Sequence, residues 1–203
     1  MFQDKEVEKI VKYKLEIFDD TELKETDLDG ITEIMVSNRD AKGKVIPINI
    51  SELVKLKKLK GLDLKGFELN QDVLGVIQSF PELTSLHLYS CQSKEPISLH
   101  VKKLKSLVLD HCQSLNFVEI QFPERVLIVD GGVVDASKLQ HHQQLKILGI
   151  KNSEIIHAAY LKKIPSLKSL NVDGSVLDED NVVNQLRAKK IAVSNEFEYH
   201  PLK

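Results

Sequence analysis

The chain has 203 residues, 42% hydrophobic and 29% charged, with a net charge of −2. This balance is that of a folded chain rather than a disordered one, and it argues against a broadly basic nucleic-acid binder. Two cysteines cannot build a disulfide framework, so reduced thiols are expected, and no apolar run approaches the roughly 20 residues that cross a bilayer.

The chain opens acidic. Residues 1–40 carry 12 Asp/Glu against 6 Lys/Arg, whereas 42–65 carry 7 Lys against Glu52 and Asp63. Such runs read as solvated faces. Val7, Ile10 and Val11 share one helical face near the start. The first residues lack a basic stretch followed by an apolar one, so a cytoplasmic protein is expected, or an extracellular one if an export signal precedes Met1.

From residue 28 onward a pattern repeats. L-x-x-L-x-L occurs at Leu59/Leu62/Leu64, Leu83/Leu86/Leu88 and Leu104/Leu107/Leu109, and returns at Leu145/Leu148/Ile150 and Leu167/Leu170/Val172. Weaker copies are Ile31/Ile34/Val36, Leu127/Val129 and Ile191/Val193. The middle positions 34, 62, 86, 107, 127, 148, 170 and 191 are separated by 28, 24, 21, 20, 21, 22 and 21 residues. An L-x-L pair alternates with period two, so each copy predicts a short strand with both aliphatics on one face. A single copy cannot bury that face alone, whereas stacked copies share a continuous core. The stretch 126–129 is aliphatic throughout, and a register shifted by one residue would exchange its faces.

The connecting stretches predict the other side of the stack. Residues 71–80 have helical spacing (Val73, Leu74, Ile77, Phe80) before Pro81, and so do 154–164 before Pro165 and 179–189. Segments 92–103 and 113–124 are broken by Pro96 and Pro123 and predict extended or 3₁₀ structure. After each strand stand Phe67, Cys91, Cys112, Gly132, Ser153 and Ser175, where a side chain bonds the turn backbone. Cys91 and Cys112 are expected to point inward as small hydrophobes.

These residues resemble the leucine-rich-repeat superfamily from about residue 28 to 196. Phe2-x-Asp4, the Val7/Ile10/Val11 face, Leu23 and Thr26–Ile34 resemble the helical cap of internalin-like bacterial repeat proteins. The resemblance implies an α/β leucine-rich-repeat solenoid, with a curved parallel sheet on the concave side and helices and irregular turns on the convex side. It implies a cap at 1–27 and a repeat domain of about 7–8 repeats at 28–203, forming one unit. It also implies protein recognition through the concave sheet. This chain lacks the regular 22-residue repeat and the Asn ladder of internalins.

No phosphate loop, nucleophile elbow or zinc-protease motif occurs. His141-His142 has no carboxylate or cysteine at ligand spacing, so neither a metal nor a cofactor is expected. The outward strand positions carry the remaining information. Between the strand aliphatics stand Met35, Asp63, His87, Val108, Ile128, Gly149, Asn171 and Ala192. The next outward row reads Ser37, Lys65, Tyr89, Asp110, Asp130, Lys151, Asp173 and Ser194. Solvent-facing strand positions are polar unless something covers them, so Val108, Val126, Ile128 and Ile147 predict an apolar centre with a polar rim.

The expected function is a non-enzymatic module that binds a protein through His87, Tyr89, Val108, Asp110, Ile128, Asp130 and Lys151. Asp63, Lys65, Ile147, Asn171 and Asp173 form a secondary set. Neither nucleic acid nor membrane insertion is expected, and the chain is expected to be a monomer. Two alternatives stay open: a surface adhesin or targeting domain of an exported bacterial protein, and an enzyme subunit using His87 with Asp63 or Asp110.

Overall fold

The computed structural model describes residues 2–113, 117–120 (backbone) and 123–194. Among them run the strands β1 (Glu33–Ser37), β2 (Gly61–Lys65), β3 (Ser85–Tyr89), β4 (Ile97–Leu99), β5 (Ser106–Asp110), β6 (Phe117–Ile120), β7 (Arg125–Asp135), β8 (Ile147–Ile156), β9 (Ser169–Asn171), β10 (Val176–Leu177) and β11 (Ala192–Ser194). The helices are α1 (Lys5–Lys14), α2 (Glu25–Leu28), α3 (Gln71–Ser79) and α4 (Val182–Ala188). The chain divides into two compact units, one containing residues 2–105 and 117–120, the other 106–113 and 123–194. Within the units, β1 to β3 pair in parallel, and so do β5, β7, β8 and β9. The repeat spacing requires this, because each strand returns to the same edge after a long connection.

In the first unit β1, β2 and β3 pair in register, Ile34 beside Leu62 and Leu62 beside Leu86. Leu59, Leu62, Leu64, Leu83, Leu86 and Leu88 are all buried, so both strand leucines and the one three residues earlier enter the core. Each such side chain stabilises the fold by about 1.5–3 kcal/mol. The N-terminal helix closes one end of this unit. Asp4 caps α1 by accepting from the Glu6 and Val7 amides at 2.8 and 3.1 Å, and its other oxygen accepts from the Asn49 amide at 2.6 Å. Val7 and Val11 are fully buried and Ile10 partly so, which matches the expected apolar face. Helix α3 forms over 71–79 as the spacing predicts, capped by Asn70, whose side chain accepts from the Val73 amide. The segment around Pro96 is extended, and its strand β4 pairs with β6.

In the second unit the order is β5, β7, β8, β9, β11, with β10 pairing the second half of β8. Here the register of β7 differs from the one the repeat spacing predicts. Val126 pairs with Leu107 and Leu148, and Ile128 with Leu109 and Ile150, so Val126 and Ile128 enter the core at 1% and 9% exposure. Leu127 and Val129 occupy the outward row instead. The cause is a bulge: Val129 pairs with Lys151, Gly132 with Ser153, so two residues oppose Asn152. The extra residue restores the later register, which is why Gly132 does stand beside Ser153 as spacing suggests. Gly131 is needed in this bulge, since a Cβ there would fall 2.4 Å from the Ile128 Cγ2. The last repeat also shifts. Val193, not Ile191, stands beside Leu170, which puts Ser194 rather than Ala192 next to Asn171.

Residues in the left-handed region recur at matching places in the second unit: His111 just after β5, Asp130 and Asn152 midway through β7 and β8, at φ +48 to +53, and Gly174 between β9 and β10 at φ +62. Asn, Asp, His and Gly are the residues that tolerate this conformation best. Beyond them serines replace the expected asparagine. Ser175 Oγ donates to the Ile150 carbonyl and accepts from the Ser153 amide, and Ser153 Oγ accepts from the Gly131 amide at 3.0 Å. Cys91 and Cys112 are both buried, and the Cys91 thiol donates to the Leu64 carbonyl.

One expected helix is absent. Residues 154–156 continue β8, paired with Val134 and Asp135 on one side and with β10 on the other, and only Ala158–Lys163 turns, as 3₁₀. The β-branched pair Ile155-Ile156 favours the strand. The Asp178 carboxylate then accepts from the His157 and Ala158 amides, satisfying the start of the 3₁₀ turn. Helix α4 covers 182–188 within the stretch expected to be helical, and residues 195–203 of the expected repeat domain lie outside the described residues. No helix of the described residues is long and apolar enough to cross a membrane.

Candidate functional site

On the first unit the outward rows are polar apart from the exposed Met35. Met35, Asp63 and His87 stand side by side, as do Ser37, Lys65 and Tyr89. His87 and Tyr89 meet edge to face at 6.5 Å between ring centroids, and the Lys65 ammonium lies 4.8 Å from the Tyr89 centroid. Burial pushes the Asp63 carboxyl above its ordinary value, Glu33 adds to the rise, and the neighbouring His87 opposes it. The structure thus brings Asp63, Lys65, His87 and Tyr89 together as the spacing predicts.

On the second unit the outward rows are aliphatic in the middle. Val108, Leu127, Gly149 and Asn171 form one row. Asp110, Val129 and Lys151 form the next, extended by Asp173, whose carboxylate lies 3.6 Å from the Lys151 ammonium. Arg125 and Ile147 are paired on the row before, with Ile147 39% exposed. The strand stack explains this set: position 127 faces out only because Val126 and Ile128 already fill the core. Ile128 is therefore removed from the candidate surface and Val129 enters it, while Leu127 stands in the outward row but is itself buried, at 7% exposure. Asn171 stays outward, donating to Ser194 Oγ at 3.1 Å and accepting from the Asp173 amide at 3.0 Å.

The bulge gives Asp130 a different place from the expected one. Val129 takes the outward position between Asp110 and Lys151, and Asp130 turns toward His111, a residue not among the candidates read from the sequence. His111 Nδ1 lies 2.5 Å from Asp110 Oδ1, and His111 Nε2 lies 3.5 Å from Asp130 Oδ2. The hydrogen bond with Asp110 holds the imidazole above its ordinary pKa, and the two carboxylate charges act in the same direction. The signal available in the sequence was the Asp110-His111 pair followed by Asp130 one repeat later.

A second histidine–carboxylate pair lies in the connecting turns of the same unit. His157 Nδ1 is 3.0 Å from Asp135 Oδ1, which raises the imidazole pKa, while the Ser137 hydroxyl and His157 lower that of Asp135. Of the adjacent pair, His141 is exposed, and burial drives His142 down to about 4.

No protein-family model matches the chain, and neither does any curated protein sequence. Solved structures do match. An internalin (inlF) of Listeria monocytogenes aligns over 96% of this chain and 63% of its own, at TM-score 0.62 and 16% identity. Internalin C2 (inlC2) of the same organism aligns over 95% and 93%, at TM-score 0.60 and 18% identity. InlP of Listeria monocytogenes aligns over 84% and 51%, at TM-score 0.57 and 12% identity. The chain thus spans less than two thirds of the first of these structures. The repeated parallel strands with their helical and 3₁₀ connections, together with these likenesses, make the fold an α/β leucine-rich-repeat solenoid of the internalin type.

Proposed function

We propose that this chain is a non-enzymatic protein-binding module whose contact surface is the outward sheet face of β5, β7, β8 and β9. One observation carries the reading: Val108, Val129 and Ile147 occupy positions that a solvated strand fills with polar residues. Asp110, Lys151, Asn171 and Asp173 surround them, which is the apolar centre and polar rim of a protein interface. A binding role in general also fits the internalin-type fold, on which function resides in the residues presented rather than in the scaffold. The polar set Asp63, Lys65, His87 and Tyr89 of the first unit is proposed as a second contact region.

Site-resolved photocrosslinking tests the surface. A crosslinker placed at position 129 or 147 is expected to capture one protein from the native cell extract, and one at the exposed connecting position Lys138 is not. Val129→Asp with Ile147→Asp is expected to weaken binding of the captured protein at least tenfold, with the circular dichroism spectrum unchanged. Capture that is equal from position 138, or undiminished in the double variant, refutes the surface.

A further inference from the structure

We propose that the turns leading into β8, β9 and β11 form a docking surface for an anionic lipid bilayer, held by charge and without insertion. Residues 106–113 and 123–194 of the second unit contain 10 Lys/Arg and 9 Asp/Glu, nearly balanced, yet the two signs are sorted. Stretches 138–147, 162–169 and 187–192, which run into these strands, carry 8 Lys/Arg and no Asp/Glu. Stretches 130–136, 151–158 and 173–181, on the other side of the same repeats, carry 7 Asp/Glu and Lys151 alone. The peptide dipole favours acids where a turn starts and bases where it ends, which accounts for Asp135, Lys163 and Arg187. Lys146 and Lys168 lie beyond the turns, out of its reach.

The basic stretches stack on one another. The Lys168 amide donates to the Lys146 carbonyl at 2.8 Å, and the Ala192 amide donates to the Lys168 carbonyl at 2.9 Å. They therefore occupy successive rungs, about 4.8 Å apart. Behind them the Lys189 ammonium donates to the Lys162 carbonyl at 3.0 Å, which ties the end of α4 to the end of the 3₁₀ turn before β9. Lys146 pairs with Glu124 at 2.9 Å. Lys138, Lys163, Lys168, Arg187, Lys189 and Lys190 are all exposed, and among the described residues none of them has a carboxylate within 4.0 Å. A solvated face ordinarily mixes both signs, which cancels such repulsion. Here the cations repel one another, and an anionic partner relieves that repulsion.

The surroundings select the partner. Among the large apolar side chains exposed in this unit, Val133 and Val176 stand on either side of Glu154, and only Ile147 borders the lysines. A protein interface has an apolar centre inside its charged rim. Single-stranded nucleic acid takes exposed rings on which its bases stack, whereas the ring here, Tyr160, is half-buried with the Lys163 ammonium 3.9 Å from its centroid. A layer of anionic headgroups requires neither, because it attracts clustered cations through a diffuse field. Lysine, a hydrated point charge without the planar fork of arginine, suits that field. The acidic stretches are repelled by the same layer, so the basic turns face it. None of the polar residues proposed to rim the protein-binding face takes part.

Flotation of the full chain with vesicles tests the surface. Phosphatidylcholine alone is compared with phosphatidylcholine containing about 30% phosphatidylserine, in about 0.1 M NaCl. Binding is expected to the anionic vesicles only, and to fall at least tenfold in about 0.5 M NaCl. At about fivefold per cation, Lys163→Glu with Lys168→Glu and Lys190→Glu is expected to weaken it about 100-fold or more. The same change of charge in the first unit, Lys9→Glu with Lys42→Glu and Lys44→Glu, is expected to weaken it less than about fivefold. In the unmutated chain, anionic vesicles are expected to slow acetylation of Lys163, Lys168 and Lys190, but not of Lys42, as read by mass spectrometry. This locates the surface even if a variant folds poorly. Equal binding to neutral vesicles, binding to neither, equal loss in the two triple variants or unslowed acetylation overturns the proposal. So does tighter binding of polyuridylate or polyglutamate than of the anionic vesicles, which would put a nucleic acid or an acidic protein there instead.

Discussion

Between the core leucines, β1 to β3 present Met35, Asp63 and His87, while β5, β7 and β8 present Val108, Leu127 and Gly149. The inner faces of the same strands are alike: Ile34, Leu62 and Leu86 in the first unit, Leu107, Val126 and Leu148 in the second, all buried. The repeat constrains only the inner face, because that face must pack against its copies above and below. The outer face is released from this constraint and differs sharply between the two units. One carries a carboxylate whose pKa is raised by burial beside a histidine. The other carries an aliphatic strip, with a histidine held between two carboxylates at its edge.

The sharpest test of the comparison is at the core, where the units are expected to behave identically. Leu62→Ala and Leu148→Ala each remove a fully buried side chain and are expected to cost about 2–5 kcal/mol in denaturant unfolding. A cost below about 1 kcal/mol at one of them would mean that the two cores are not equivalent.

Acid should separate the units. His142, in the connecting segment of the second, titrates at about 4 when folded, below its ordinary value. The unfolded chain therefore binds the extra proton first, and the contribution of His142 is present above about pH 6.5 and lost as pH falls through about 4. His142→Gln is expected to reduce the acid loss of stability by on the order of 2 kcal/mol. Asp63 of the first unit has the opposite sign. Its raised pKa means that folding favours its protonated form, so its contribution fades as pH rises through the folded pKa. Asp63→Asn is expected to stabilise the protein at neutral pH and to have less effect in acid. Thermal melts of both variants between about pH 4 and 8 read these slopes.

Smaller effects distinguish how the units satisfy their backbone ends. Asp4→Ala removes a cap with two amide contacts in the first unit and is expected to cost about 1 kcal/mol. Ser153→Ala removes the acceptor for the Gly131 amide in the second and is expected to cost about the same. Amide exchange distinguishes them: the first change exposes α1, the second the β7 bulge.

Much of the fold and part of the site were legible in the residues themselves. The leucines at 59, 62 and 64 and at 83, 86 and 88 lie where period two and the repeat spacing put them, and Val7, Ile10 and Val11 form the expected cap face. The polar neighbours Asp63, Lys65, His87 and Tyr89 were readable because their strands have an unambiguous inner face. Three features were not. At 126–129 every residue is aliphatic, so alternation carried no information about which face is which. The helix expected over 154–164 shared its spacing of apolar residues with a strand continued by a 3₁₀ turn. His111 follows β5 beside a core cysteine, and nothing in its spacing marks it.

What the sequence determined by itself was the stack: strand positions, inward aliphatics and repeat length follow from local periodicity and the need to bury one face. What only tertiary structure decided was the register through β7. A single extra residue at Asp130-Gly131 is invisible to spacing, yet it selects which aliphatics face out and turns Asp130 toward His111. Pairing across strands sets that choice, since a slip of one residue reverses every side chain while leaving the pattern unchanged.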